Sequence, residues 1–151
     1  MLDKIDKHIL MELQRDAKQN TKEIASIVGL TATPTYERIK KLEQQEIIKG
    51  YIAVLDRERL GKQVVAFCQV TLSKHQKKLI DSFKADILGL PEVMECHHVS
   101  GNFDFLLKVV TDDIKSFHKF VNGKLADVEE ISTIQSSFVM DAVKESSSYV
   151  L

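Results

Sequence analysis

Apolar residues recur at helical spacing through the first third of the chain. Ile5, Ile9 and Leu13 stand four apart, with Leu2 and Leu10 widening the stripe, so residues 3–15 predict a first helix that Asp3 can cap. The polar run 16–21, DAKQNT, is a connection ending on Asn20 or Thr21 as the next cap. Ile24, Ala25, Val28 and Leu30 then mark one helical face followed by a turn, and Gly29 falls where that helix must end in a left-handed conformation. Small Ala25 lets a following helix cross closely. Thr31 can cap that helix with its hydroxyl and Pro34 falls in its first turn, so it starts near residue 31 or 32. Along it Thr35, Ile39 and Leu42 share an inward face, Thr33, Glu37, Lys40, Lys41 and Gln44 point away, and Tyr36 and Arg38 lie on the flanks. The pattern predicts three successive helices, the last two forming a helix-turn-helix.

Beyond residue 46 the period changes. Ile47 to Leu55 turns β-like, predicting a small wing or a strand leading away from the helices, and the polar run 56–62, DRERLGK, is a linker. We therefore divide the chain into a helical domain at 1–55, a linker at 56–62 and a second domain at 63–151. There, Val64–Leu72 is strand-like, Gln76–Leu88 is helical and stopped by Gly89-Leu90-Pro91, and Val93–Val99 and Phe103–Val110 flank a Ser100-Gly101-Asn102 hairpin turn. Phe103 and Asp104 can equally belong to the loop. Asp112 or Asp113 caps a helix carrying Ile114, Phe117, Phe120 and Val121, expected to end near Asn122-Gly123, and Ile131–Met140 is the last strand. The expected class is α+β: an N-terminal (winged) helix-turn-helix domain followed by a ferredoxin-like βαββαβ domain with two helices on one sheet face. The other face needs a cover, for which a second copy of the chain is the simplest choice.

Composition narrows the classes. With 44% hydrophobic and 28% charged residues, the 151-residue chain reads as an ordinary globular protein. No apolar run approaches a membrane span and no signal-peptide core opens the chain, so a cytoplasmic location is expected. Cys68 and Cys96 both lie in apolar strand-like runs, where they are expected to be buried and unpaired. Glu95-Cys96-His97-His98 invites a metal, but strand alternation sends 95 and 97 one way and 96 and 98 the other, so no metal site is expected. His8, His75 and His118 have no Ser or Cys partner at a recognisable spacing, and no phosphate-binding glycine loop appears.

The outward side of the third helix gathers hydroxyls, an aromatic ring and cations. Short hydroxyl side chains near a helix N-terminus reach base edges or phosphates, and lysine and arginine neutralise the DNA backbone. A merely solvated amphipathic helix has the same periodicity; the Gly29 turn favours the DNA reading. The expected DNA-contacting residues are Thr31, Thr33, Pro34 and Tyr36, with Arg38, Lys40 and Lys41 as the cations. Charge is evenly spread, with eleven Lys and Arg against ten Asp and Glu up to residue 60 and ten against twelve beyond it. Affinity must then come from locally placed cations and from joining several DNA-binding heads, which argues for an oligomer.

The order of motifs is specific. D-x-x-I-L-x-x-L-Q-x-D at Asp6–Asp16, V-G-L at Val28–Leu30, T-P-x-x-E-R-I-K-K-L-E at Thr33–Glu43 and I-x-G-Y at Ile48–Tyr51 resemble the DNA-binding half of the leucine-responsive and AsnC-type (feast/famine, Lrp/AsnC) transcription regulators. The family usually has Ser or Thr followed by Pro where this chain has Thr31-Ala32, which loosens the helix start slightly. S-G-N-F-D-F-L-L-K-V at Ser100–Val109 and F-V-M-D-A-V-K at Phe138–Lys144 resemble the family's effector-binding half. The resemblance implies a transcription regulator without enzymatic activity or cofactor, a homodimer assembling further to an octamer, and a small effector, an amino acid, bound between dimers. It carries effector contacts onto Ser100, Gly101, Asn102 and Asp104, and onto Ser136 and Ser137. Physically, Gly101 lets backbone N–H groups approach a carboxylate, while Asp104 either accepts the ammonium group or ties down the loop backbone. The blander alternative makes Gly101 and Asp104 simple turn residues. A small enzyme or storage protein built on the ferredoxin-like half is the competing class, but the sequence supplies no convergent acid, base or nucleophile for it.

Overall fold

The computed structural model describes residues 2–151. Backbone contacts divide the chain into two units: one runs to Val54 and takes in Lys144–Leu151, and the other is Leu55–Val143.

The first unit is built on α1 (Lys4–Arg15), α2 (Thr21–Val28) and α3 (Ala32–Gln44). The start of α1 is a reciprocal cap in which Asp3 Oδ1 accepts from the Asp6 N–H at 2.7 Å and Asp6 Oδ2 accepts from the Asp3 N–H at 3.2 Å. Asn20 and Glu23 form the same device at α2, with Asn20 Oδ1 accepting from the N–H groups of Lys22 and Glu23. Gly29 ends α2 at φ 73° and ψ 33°, the left-handed geometry expected of it, and the Leu30 N–H returns to the Ala25 carbonyl at 2.9 Å. Ile9, Leu10, Ile24 and Leu42 form the buried core, flanked by Leu2, Ile5, Leu13, Val28, Ile39 and Ile48.

Two local expectations are corrected. Thr31 occupies the cap position of α3, but its hydroxyl makes no cap bond. The buried Thr35 hydroxyl instead donates to the Thr31 carbonyl at 2.9 Å, tightening the first turn from inside. The stretch 47–55 forms no strand and hence no wing. It has no neighbouring strand to complete a ladder, and Ile52 and Val54 are 86% and 90% exposed. Tyr51 anchors the start of this connection by donating to Glu43 Oε1 at 2.9 Å. Partial burial, reinforced by Glu43, pushes the phenol up to about 12, so it remains a donor.

The last residues belong to the same unit. The side-chain amide of Gln14 clasps Tyr149, Nε2 donating to its carbonyl at 3.0 Å and Oε1 accepting from its N–H at 2.6 Å.

The second unit has the expected order: β1 (Val64–Leu72), α4 (Lys77–Leu88), β2 (Val93–His98), β3 (Phe105–Thr111), α5 (Ile114–Lys119) and β4 (Ile131–Phe138). All pairings are antiparallel and the strands lie in the order β2-β3-β1-β4. Ala66, Cys68, Val70 and Leu72 of β1 and Phe105, Leu107 and Val109 of β3 pack with Phe83 and Ile87 of α4 and with Phe117, Phe120 and Leu125. The Phe83 and Phe105 rings lie 4.4 Å apart. The helix at 114 does not stop at Asn122-Gly123: α5 passes into a π-helical turn, Phe120–Leu125. The wider turn buries Phe120 and Leu125 together, and that burial outweighs the local stop signal. Cys96, expected to be buried, is exposed because β2 is an edge strand, whereas Cys68 in the central β1 is buried. On the sheet face away from the helices the register sets Phe67 beside Lys108 and Ser137, and Phe67 is 38% exposed.

Candidate functional site

In the first unit, helix packing decides which side of α3 is offered to a partner. Thr35 and Leu42 are buried, while Thr31, Thr33, Pro34, Tyr36, Lys40 and Lys41 are exposed or half-buried. Thr33 and Tyr36 line an open recess of about 510 Å³ together with Ala32 and with Asn20, Thr21 and Lys22 at the start of α2. The first backbone N–H groups of a helix carry a partial positive charge that attracts anions such as phosphate. Lys22 adds a full charge at the same place. Lys22 was not among the expected contacts; no local pattern in α2 marks it, and only the packing of α3 beside the start of α2 brings it to the recess.

Arg38 is placed differently from the other cations. Its Nη1 lies 2.7 Å from Asp3 Oδ2 and 2.6 Å from Asp6 Oδ1, and its side chain is only 32% exposed. It links α3 to the cap of α1. The Asp6 N–H, and after it Arg38, holds the Asp3 carboxyl below the usual carboxylate range. A carboxylate with a lowered folded pKa stabilises the fold at neutral pH and loses that contribution as the pH falls through the folded value. Arg38→Met therefore lowers the melting temperature at pH 7, with a smaller deficit in acid, and leaves the salt dependence of DNA binding unchanged. Melting curves at two pH values and gel shifts across a salt series check both halves.

In the second unit the hairpin loop between β2 and β3 is closed by the Val99 N–H donating to the Asp104 carbonyl at 2.9 Å. The Asp104 N–H donates to the Val70 carbonyl at 2.9 Å, and its Oδ2 accepts from the Leu72 N–H at 2.7 Å. The other oxygen, Oδ1, lies 2.8 Å from His75 Nε2. The carboxylate thus ties the base of the loop to the end of β1. Burial alone would raise its pKa, but the Leu72 N–H and then His75 outweigh that and hold the carboxyl below its usual range. Ser100, Gly101 and Asn102 stand exposed at the loop tip, and Gly101 has φ 137°, a backbone conformation side chains strain to adopt.

Ser136 and Ser137 are not brought together. Ser136 Oγ faces inward, 3.4 Å from Cys68 Sγ, and Ser137 points to the opposite face beside Phe67. Glu95 and His97 do share a face, at 3.1 Å. Among the described residues no group of three or more His, Cys, Asp or Glu is placed to hold a metal ion. None of the described helices is long and apolar enough to cross a membrane.

Comparison with known proteins assigns both units. Residues 2–43 match the AsnC-type helix-turn-helix domain, and residues 65–149 match the Lrp/AsnC ligand binding domain. The chain belongs to the Lrp/AsnC family. It is 36% identical over 150 residues to the leucine-responsive regulatory protein of Salmonella typhimurium, covering 99% of this chain and 92% of that protein. The Escherichia coli K12 protein of the same name is 35% identical over the same span. Among solved structures, a transcriptional regulator from Neisseria meningitidis in complex with L-Met superposes with a TM-score of 0.94 at 31% identity, covering 99% of this chain and 97% of that one. An AsnC family regulator from Agrobacterium tumefaciens gives the same figures. As a member of the Lrp/AsnC family the chain is a DNA-binding transcriptional regulator with a ligand-binding domain, and not an enzyme.

Proposed function

We propose that this Lrp/AsnC regulator binds its operator as a homodimer, or as a higher assembly of dimers up to an octamer, in the cytoplasm, and that an amino acid bound near the hairpin loop tunes that binding. The observation carrying the DNA half is the exposure of Thr33 and Tyr36 beside the capped start of α2. In this reading α3 enters the major groove with Thr33 and Tyr36 toward base edges, and Thr31 and Pro34 at its start close to the backbone. Lys22, Lys40 and Lys41 meet phosphates, while Arg38 acts behind them by holding α3 against α1.

The effector half is supported by the ligand-binding domain match, by the L-Met complex of the Neisseria relative and by the exposed loop tip at Ser100, Gly101 and Asn102. Asp104 serves it by fixing the loop. Ser136 is a weaker contact in this reading because its hydroxyl is turned toward Cys68. A thermal-shift screen against the amino acids, L-methionine and L-leucine first, tests the proposal. A ligand at a hundred times its Kd stabilises the folded state by about 2.7 kcal/mol, which reads as a rise in melting temperature. The active compound should also change the operator gel shift. No shift with any amino acid at millimolar concentration would sink the effector half and leave the DNA half standing.

A further inference from the structure

Asp104 joins three segments, two through its carboxylate and one through its backbone carbonyl. The carboxylate meets Leu72 at the end of β1 and His75 at the entry to α4, and the carbonyl accepts from the N–H of Val99, just after β2. The N–H groups of Ser100, Gly101, Asn102 and Phe103 donate no hydrogen bond to any described residue. Consecutive backbone donors at the tip of a loop suit a ligand carboxylate, provided the loop is held still.

We infer that His75 is a positioning residue of the effector site: by donating from Nε2 to Asp104 Oδ1 it fixes the carboxylate that holds the loop's backbone N–H groups toward the carboxylate of a bound amino acid. The inference rests on the effector reading above and adds a residue to it. Without His75, Oδ1 is free to rotate away, and the Leu72 N–H, 2.7 Å from Oδ2, loses a well-aimed acceptor. His98, the other imidazole near this end of the sheet, stacks on the Phe105 ring at 4.6 Å; it acts on the Asp104 carboxylate only through space, without a hydrogen bond.

The side chain of His75 is 68% exposed. Its removal opens no cavity, so a purely structural role would show as a small change in melting temperature with ligand affinity untouched. Its importance has to appear in binding. The donor, not the ring, is the active element, and that separates two substitutions. His75→Phe keeps the ring and removes the donor, whereas His75→Gln keeps an N–H donor of similar reach.

Isothermal titration of the full chain with L-methionine and, separately, L-leucine provides the test, with amide exchange of Leu72 measured without ligand. Loss of one hydrogen bond's worth of preorganisation in His75→Phe is expected to weaken the better ligand about tenfold and to speed Leu72 exchange by a similar factor. His75→Gln should stay within about threefold of the native protein. Operator affinity without ligand should be the same in all three. Native binding matched by His75→Phe, with unchanged Leu72 exchange, would overturn the role of His75 alone. An equal loss in His75→Gln would overturn it too, since the donor would then be irrelevant. A native protein that binds neither amino acid would overturn the effector reading and this inference together.

Discussion

Phe67→Glu is expected to convert the protein to monomers and to cost about a hundredfold or more in operator affinity, the usual scale of linked binding. Phe67 lies on the sheet face opposite α4 and α5, 38% exposed and flanked in register by Lys108 and Ser137. A carboxylate there would have to be desolvated when a second sheet packs over it. Inside its own unit the substitution costs little, because the core lies on the opposite face with Ala66 and Cys68. Sedimentation gives the oligomeric state and gel shifts give the affinity. A dimer with native affinity would show that copies meet elsewhere. The near-balance of charge, eleven cations against ten anions up to residue 60, makes the dependence on pairing steep, since one head has little net attraction for DNA.

Lys40→Ala/Lys41→Ala carries the second large effect. Both lysines lie near the end of α3, and both are exposed. Each neutralised phosphate adds about 0.9 to the slope of log affinity against log salt, so removing these two cations from a head amounts to roughly sixtyfold at 0.1 M salt. Every DNA sequence should suffer alike. Thr33→Ala, by contrast, should leave the salt slope alone and relax the choice of sequence. A double variant that binds its operator as the native protein does would remove these lysines from the interface.

What could be foreseen follows from distance along the chain. Asp3, Asn20 and Gly29 act on backbone groups within a turn of themselves, so their chemistry is written beside the helix ends they make. The alternation in β1 and β3 likewise marks which residues face the helices. Arg38 departs from expectation because the carboxylates that take it lie 35 and 32 residues away, and a helical wheel shows only a flank. His75 meets Asp104 across 29 residues, and no local pattern marks that encounter. At Phe120–Leu125 the local signal was present but overruled, Asn122-Gly123 yielding to the burial of the phenylalanine and leucine around them. The β-like run at 47–55 erred in the opposite sense, having strand-forming residues with no strand to join.

The clasp between Gln14 and Tyr149 spans 135 positions, and it bears on how the protein is made. Translation delivers α1, α2 and α3 before Leu55–Val143, and a helical bundle with mainly local contacts forms early. Its partner Tyr149 is translated only after the whole of Leu55–Val143 has been synthesised. A chain broken off before Tyr149 would therefore carry every residue of the recognition helix and still lack the strap that fastens onto α1 through Gln14.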